Sequence, residues 1–117
     1  MYYEAAFQVG ARDTDPFNQC RPSSMMDFLQ ETATGAAVEL HVSREEMLQG
    51  YGVFWMLARI WYRLDVPVFW NDRLTVQTWH RGSSHGASIY RDFDIFRDGK
   101  PIGEGVSLWV LADIETR

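Results

Sequence analysis

The spacing of apolar residues changes once along the chain, close to Gly52. Before that point the stretch "SMMDFLQETATGAAVEL" repeats apolar side chains at i, i+3, i+4 and i+7, which is typical of one helix face. Ser24 and Asp27 have the spacing of a capping box, so the pattern predicts a helix of about sixteen residues that starts after Ser24. A second capping box, Ser43 with Glu46, predicts a short helix behind it. The apolar face of the long helix narrows from large to small side chains: Met25, Met26, Phe28, Leu29, Thr32, Ala33, Ala36, Ala37 and Leu40.

After Gly52 apolar and polar residues alternate, which predicts strands over 53–67, 73–82, 87–96 and 101–113. Residues 2–9 read as a further strand ahead of the long helix. Asp98-Gly99 is a strong signal for a two-residue hairpin, and Gly103 with Gly105 indicates a bulge or tight bend. In the first strand after Gly52, the alternation places six side chains on one face: Phe54, Met56, Ala58, Ile60, Tyr62 and Leu64.

The order of elements is one strand, a long helix, a short helix and then four long strands joined by short turns. Such strands are most simply antiparallel, and a single sheet has to cover a single long apolar helix. We therefore expect an α+β chain with the hot-dog fold, in which a coiled antiparallel sheet of about five strands wraps a long central helix. Residues 1–117 form one domain. A lipocalin-like barrel is disfavoured because the helix follows the first strand instead of the last.

Composition narrows the classes of function. The net charge of −5 argues against nucleic-acid binding, which needs a basic face. A single cysteine excludes an intramolecular disulfide, and without a visible signal peptide it indicates the cytoplasm. No apolar run approaches the roughly 18 residues of a membrane span, so no membrane partner is expected. Three scattered histidines and one cysteine have no metal-ligand spacing, so we expect neither a metal nor a cofactor.

Several segments together resemble a known family. They are "FLQETAT", "GVFWMLARIWYRLDVPVFWNDRLTVQTW", "RDFDIF" and "GEGVSLWVLADIETR", which occur in the order found in the N-terminal half of bacterial acyl-acyl-carrier-protein (acyl-ACP) thioesterases. The resemblance implies release of fatty acids from acyl-carrier protein by two hot-dog units in tandem. The family's Asn-x-His stretch, which lies in the second unit, does not occur in these 117 residues. We therefore expect either pairing with a second hot-dog unit or a homodimer.

The stretch "DTDP" resembles the loop of single-unit hot-dog thioesterases such as the 4-hydroxybenzoyl-CoA enzymes, whose second acid is catalytic. That resemblance assigns the catalytic acid to Asp15, with Asn18 as a polar positioning group. The backbone N–H groups of Ser24 and Met25 would be oxyanion donors if they start the helix. The competing interpretation is that Asp13 and Asp15 only form Asx-turns ahead of the helix.

Glu31 is the second candidate acid, because some hot-dog thioesterases carry their acid on this helix. The alternative for Glu31 is a solvated residue or one at a subunit contact. Cys20 is expected to be an ordinary, partly buried thiol. His80 and His85 are expected at the surface, and His41 lies at the far end of the helix.

Aromatic and methionine side chains are the candidates for an acyl-binding surface, because they are numerous and methionine adapts to a variable alkyl chain. Core packing is the default alternative for each of them. Four arginines on strand faces, Arg59, Arg63, Arg81 and Arg91, would either meet pantetheine phosphates or an acidic carrier, or lie on a solvated face. The residues chosen for substrate binding are Met25, Met26, Leu29, Phe54, Trp55, Met56 and Trp79.

The resulting hypothesis is a thioesterase that hydrolyses fatty acyl-ACP in fatty acid biosynthesis, with this chain as the acyl-binding N-terminal half. Two alternatives stay open at this point: a non-catalytic module that binds an acyl chain, and a single-unit acyl-CoA thioesterase that acts as a homodimer. The sequence favours no acyl chain length, and it does not separate acyl-carrier protein from CoA as the carrier.

Overall fold

The structure is a computed structural model that describes residues 2–40, 44–81 and 88–113. It contains β1 (Tyr3–Gln8), a 3-10 turn (Ala11–Asp13), α1 (Pro22–Glu39), α2 (Arg44–Tyr51), β2 (Val53–Leu64), β3 (Arg73–His80), β4 (Ser88–Arg97) and β5 (Lys100–Asp113). The strands form one antiparallel sheet in the order β1-β3-β4-β5-β2. The sheet is not closed into a barrel, and α1 packs on one of its faces, as the hot-dog prediction requires. No helix among the described residues is long and apolar enough to cross a membrane.

The start of α1 differs from the prediction. The helix begins at Pro22, after Arg21 as N-cap, and Ser24 is a buried residue inside its first turn. The backbone N–H groups of Ser24 and Met25 both donate to the Arg21 carbonyl at 3.1 Å. Proline suits the first helical position because its fixed φ is helical and its missing N–H would have no partner there. The predicted Ser24 capping box is therefore wrong, and the Ser43 cap lies outside the described residues.

The apolar face of α1 is confirmed over most of its length. Its buried residues are Ser24, Met25, Phe28, Leu29, Thr32, Ala33 and Ala36, whereas Leu40 lies beyond the helix and is exposed. Phe28 stacks on Phe7 of β1 with 4.8 Å between ring centroids. Gly35 faces the ring of Tyr3, where an added Cβ would approach the ring carbons to 2.7–2.8 Å. Both contacts place α1 over the β1 side of the sheet.

A β-bulge in β2 changes which side chains face the helix. Leu57 pairs with Trp109 of β5, and Arg59 pairs with the adjacent Leu108. Ala58, which lies between them in β2, is therefore the extra residue of the bulge. Directly opposed residues share a face, and one extra residue reverses the alternation. Before the bulge the inner face therefore carries Trp55 and Leu57, and Met56 is 46% exposed. For the residues that follow Ala58, the prediction of which β2 side chains face the helix is confirmed. For the residues that precede Ala58, the prediction is wrong.

The Asp98-Gly99 hairpin is confirmed, and the predicted bulge lies at Gly103, whereas the strand pairing is regular at Gly105. Asp98 and Gly99 both have positive φ, 53° and 77°, in the two-residue loop between β4 and β5. The β4–β5 register shifts beside Gly103, which places a bulge there. A Cβ on Gly103 would overlap the carbonyl of Arg63, and one on Gly105 would lie 3.4 Å from the Leu29 side chain. These two glycines let β2 and α1 approach β5 closely. The turn predicted around residues 82–84, together with His41 and His85, lies outside the described residues.

The outer face of the sheet carries a row of charges. Arg81 pairs with Asp92 at 3.0 Å, and Arg63 pairs with Glu104 at 3.3 Å. Asp94 lies directly opposite Glu104 across β4 and β5. Partial burial, then Glu104, then Asp92 raise the pKa of Asp94 above its usual value. Like charges opposed across two strands destabilise a sheet.

We predict that Gly103→Ala lowers the free energy of unfolding by about 1–3 kcal/mol, because its Cβ meets backbone that has little room to move. Gly50→Ala is the matched control, since a Cβ at Gly50 meets no atom within 4 Å. Urea denaturation of both variants measures the difference. Equal stabilities for the two variants would contradict the close approach of β2 and β5.

We also predict that Asp94→Asn raises the free energy of unfolding by about 0.2–1 kcal/mol at pH 7 and low salt. The folded-state pKa of Asp94 lies above its unfolded value, so the folded protein is destabilised when this carboxyl ionises. The stability gain of Asp94→Asn should vanish at about pH 3, where Asp94 is protonated in both the folded and the unfolded protein. Asp92→Asn, which breaks the Arg81 ion pair, should change stability in the opposite direction. Thermal unfolding at the two pH values measures both variants.

Candidate functional site

A cavity of about 340 Å³ lies between the second half of α1 and the β2 end of the sheet. It exists because α1 packs over β1 and β3, and a helix about 10 Å across covers only about two strands spaced 4.8 Å apart. The small residues on α1 leave further room above the uncovered strands. The lining residues are mostly apolar: Gln30, Ala33, Thr34, Ala37, Phe54, Trp55, Met56, Leu57, Ile89, Arg91 and Trp109. An apolar slot of this size with few polar groups is suited to an acyl chain.

Arg91 is the charged residue among the described lining residues. It lies on the inner face of β4, in line with Phe93 and Ile95, and is only 7% exposed. Its Nη1 donates to the Thr78 hydroxyl at 3.4 Å, and burial lowers the pKa of its guanidinium. None of the described carboxylates forms an ion pair with it. Arg91 also lines a second cavity of about 130 Å³ between the end of α1 and the β1–β3 pair.

The wall opposite α1 is fixed by hydrogen bonds. The Trp109 indole N–H donates to the Ser107 hydroxyl at 2.7 Å, and that hydroxyl donates to the Arg91 carbonyl at 3.4 Å. An aromatic side chain with a satisfied N–H keeps its orientation in a partly apolar site. The cavity is therefore preformed on the β4–β5 side.

The seven residues predicted to bind substrate do not lie together. Phe54, Trp55 and Met56 line the main cavity. Trp79 lines the second cavity and pairs with Asp92 across β3 and β4. Met25 and Leu29 are fully buried in the core and Met26 is half-buried, and none of these three lines a described cavity. Their role in binding stays a prediction.

The loop with the first candidate acid has a structural function. One oxygen of Asp15 accepts the backbone N–H groups of Phe17 at 2.8 Å and Gln19 at 3.1 Å. Asp13 accepts the N–H of Gly10 at 2.9 Å. Asn18 is exposed and has a φ of 64°. These contacts are the turn geometry that the competing interpretation of the sequence describes.

The same loop lies at the other end of α1 from the cavity. Neither Asp15 nor Asn18 lines it, and six residues of helix, about 9 Å, separate Ser24 from Gln30, the first lining residue of α1. The Ser24 and Met25 N–H groups are not free oxyanion donors, because both already bond to Arg21.

Glu31 is exposed on α1 and is three residues before Thr34, which lines the cavity. Residues three apart are neighbours on a helix surface, so Glu31 lies at the rim of the cavity. Sequence reasoning missed Gln30 as a lining residue, and it grouped Arg91 with three outward-facing arginines. The alternation "IYRDFDIF" carries the missing signal for Arg91, since it aligns Arg91 with two buried apolar residues of β4.

The remaining nucleophile and metal candidates are not supported. The Cys20 thiol is half-buried, and burial, followed by the charge of Asp13, raises its pKa to about 11. A thiol with such a pKa is protonated at neutral pH and is a poor nucleophile. His80 is exposed. The described part of the chain contains no group of three or more side chains that could hold a metal ion.

Solved structures with the same fold include several thioesterases. An acyl-ACP thioesterase from Bacteroides thetaiotaomicron superposes with a TM-score of 0.91 at 22% identity, over 99% of this chain and 47% of that one. A putative oleoyl thioesterase from Lactobacillus plantarum superposes with a TM-score of 0.87 at 21% identity, over 100% of this chain and 45% of that one. A probable thioesterase from Bartonella henselae superposes with a TM-score of 0.88 at 13% identity, over 100% of this chain and 96% of that one. The chain thus spans about half the length of the first two proteins.

A comparison with curated protein sequences finds no significant match. The sequence family described as the acyl-ACP thioesterase N-terminal domain matches residues 1–117, which is the whole chain. With the hot-dog topology and the apolar slot beside α1, this match shows that the chain belongs to the acyl-ACP thioesterase N-terminal domain family.

Proposed function

We propose that this chain is the acyl-binding unit of a thioesterase that hydrolyses fatty acyl-ACP in the cytoplasm, as part of fatty acid biosynthesis. The observation that carries the proposal is the apolar cavity of about 340 Å³ beside α1, in a chain of the acyl-ACP thioesterase family. The aliphatic and aromatic walls suit an alkyl chain, whose burial is favourable by about 25 cal/mol per Å².

Hydrolysis of a thioester needs an acid group that activates water, donors for the oxyanion and a slot for the acyl chain. The slot is present in this chain. Of the candidate acids, Glu31 lies nearest to it, at the cavity rim, where it could take a proton from water as that water attacks the carbonyl carbon. Collapse of the tetrahedral intermediate would then release the carrier thiol. Asp15 with Asn18 stays the second candidate pair, at the other end of α1.

A second hot-dog unit is part of the proposal. β2 is twelve residues long and lies at the edge of the sheet among the described strands, and long edge strands are usually covered in native proteins. The cavity opens beside that same strand. A second copy of this chain, or a second unit of the same kind, would pair with the β2 edge and cover the cavity.

One observation favours a different function. The cavity has no described carboxylate in its lining, so this unit can hold an acyl chain without cleaving it. The alternative is therefore a non-catalytic acyl-binding half. A single-unit acyl-CoA thioesterase acting as a homodimer differs from the main proposal in the carrier, so parallel assays with acyl-ACP and acyl-CoA separate the two.

We predict that the chain releases free thiol from acyl-ACP, and that Glu31→Gln lowers the turnover number by about 10²–10⁴-fold. Asp15→Asn tests the other acid, and Asp13→Asn is its matched control because Asp13 makes the same kind of backbone contact without being a candidate. Thiol release with a colorimetric reagent measures all variants.

Unchanged turnover in both Glu31→Gln and Asp15→Asn would remove both acids from the mechanism. If the wild-type chain binds acyl-ACP but releases no thiol, the binding-half alternative replaces the catalytic one for the isolated chain.

We predict that the chain is a dimer at micromolar concentration. The reason is the position of β2 at the sheet edge beside an open apolar cavity, which pairing would remove from water. Sedimentation equilibrium measures the mass. A monomer of 13.6 kDa at that concentration would contradict self-pairing and leave a linked second unit as the remaining form.

A further inference from the structure

Arg91 carries a charge that nothing in the described structure neutralises. Its side chain is 93% buried between α1 and the sheet, and its single described hydrogen bond is the long one to Thr78. Buried charges are normally paired, because an isolated charge in an apolar interior is strongly destabilising. An arginine in this position is therefore expected to have an anionic or strongly polar partner.

Arg91 lines both described cavities. Every fully buried side-chain nitrogen or oxygen among the described residues has a hydrogen-bond partner. The guanidinium nitrogens without a partner must therefore have accessible surface, and Arg91 reaches such surface in the two cavities that it lines. The main cavity therefore has a mostly apolar lining that contains one cationic side chain, Arg91.

We propose that this cation binds a carboxylate at the far end of the acyl group, so that the cavity selects acyl chains that carry a second, terminal carboxylate. The proposal rests on the proposed function and narrows it, since it holds that among the fatty acyl groups of the same site those with a terminal carboxylate bind most tightly. A guanidinium binds a carboxylate through two parallel N–H···O bonds, and the apolar walls contact the methylene groups between the carboxylate and the thioester. A chain that ends in a methyl group would leave Arg91 desolvated and without a partner.

The lining favours this ligand over the pantetheine arm. Apart from Gln30, Thr34 and Arg91, the residues that line the cavity are apolar, so the cavity offers few partners for the several polar groups of pantetheine. The arginines suited to an exposed phosphate are on the other face, where Arg63 and Arg81 already pair with acids.

The test compares two hydrolysis-resistant ligands of equal length, the cysteamine amides of octanoic acid and of octanedioic acid. One ends in a methyl group and the other in a carboxylate. We expect the carboxylate ligand to bind about 10- to 100-fold more tightly, the range that a hydrogen-bonded charge pair gives. Isothermal titration calorimetry on the whole chain measures both dissociation constants.

Arg91→Met should abolish the preference, and Arg91→Lys should keep part of it because lysine retains the charge without the two-pronged geometry. Arg59→Met is the matched control, since it removes the same charge from an exposed position outside the cavity lining. Replacing an unpaired buried charge by an apolar side chain is often neutral or stabilising, so Arg91→Met should melt no lower than the wild type. If it does not fold, Arg91→Lys and Arg91→Gln give the same comparison.

Equal binding of the two ligands, binding of neither, or a preference that survives in Arg91→Met would each overturn the proposal. Failure of the thioesterase proposal looks different. A chain that prefers the carboxylate ligand but releases no thiol refutes hydrolysis alone, and a chain that hydrolyses fatty acyl-ACP without the preference refutes only the role of Arg91.

Discussion

The position of α1 on the sheet determines the rest of the structure. The helix lies over β1 and β3, held there by the stacking of Phe28 on Phe7 and by the close contact of Gly35 with Tyr3. A single helix covers about two strands, so α1 covers β1 and β3 more fully than β2, β4 and β5, whose described residues line the cavity. The cavity, the exposed apolar residues at its rim and the open side of the molecule all follow from that unequal coverage.

The cavity lies beside β2, the edge strand of the sheet. An acyl ligand and a second unit paired with β2 would therefore occupy neighbouring places. A ligand in the cavity would add apolar surface next to the β2 edge, and a second unit would close the cavity over the ligand. Acyl binding and pairing of units are therefore expected to stabilise each other, because each one buries surface that the other leaves exposed.

The architecture was predictable from the sequence because it depends on periodicity and on one hairpin. The switch from a helical to a strand period at Gly52 and the Asp98-Gly99 turn are sufficient for the element order. The errors have local causes. Pro22 is a stronger helix start than Ser24, and the single extra residue at Ala58 reverses the faces of half a strand without any mark in the hydrophobic pattern.

The site was less predictable than the fold, because the same residue types serve turns and catalysis. Asp13 and Asp15 have the spacing of a catalytic loop, yet their hydrogen bonds are those of turn-forming carboxylates. Only the geometry shows which backbone N–H groups they accept. Arg91 shows a different limit, since the sequence analysis grouped it with outward-facing arginines although the strand alternation aligns it with the buried residues Phe93 and Ile95.

The distance between the two candidate acids has a chemical consequence. Met25 and Leu29 lie on α1 between the Asp15 loop and the lining residues of the helix, and both are at most 1% exposed. Neither described cavity is lined by Asp15, so an acyl chain held in the main cavity has no described path to Asp15 of the same chain. If the cavity holds the acyl chain, as proposed, the thioester would react with Glu31 or with a group of the second unit.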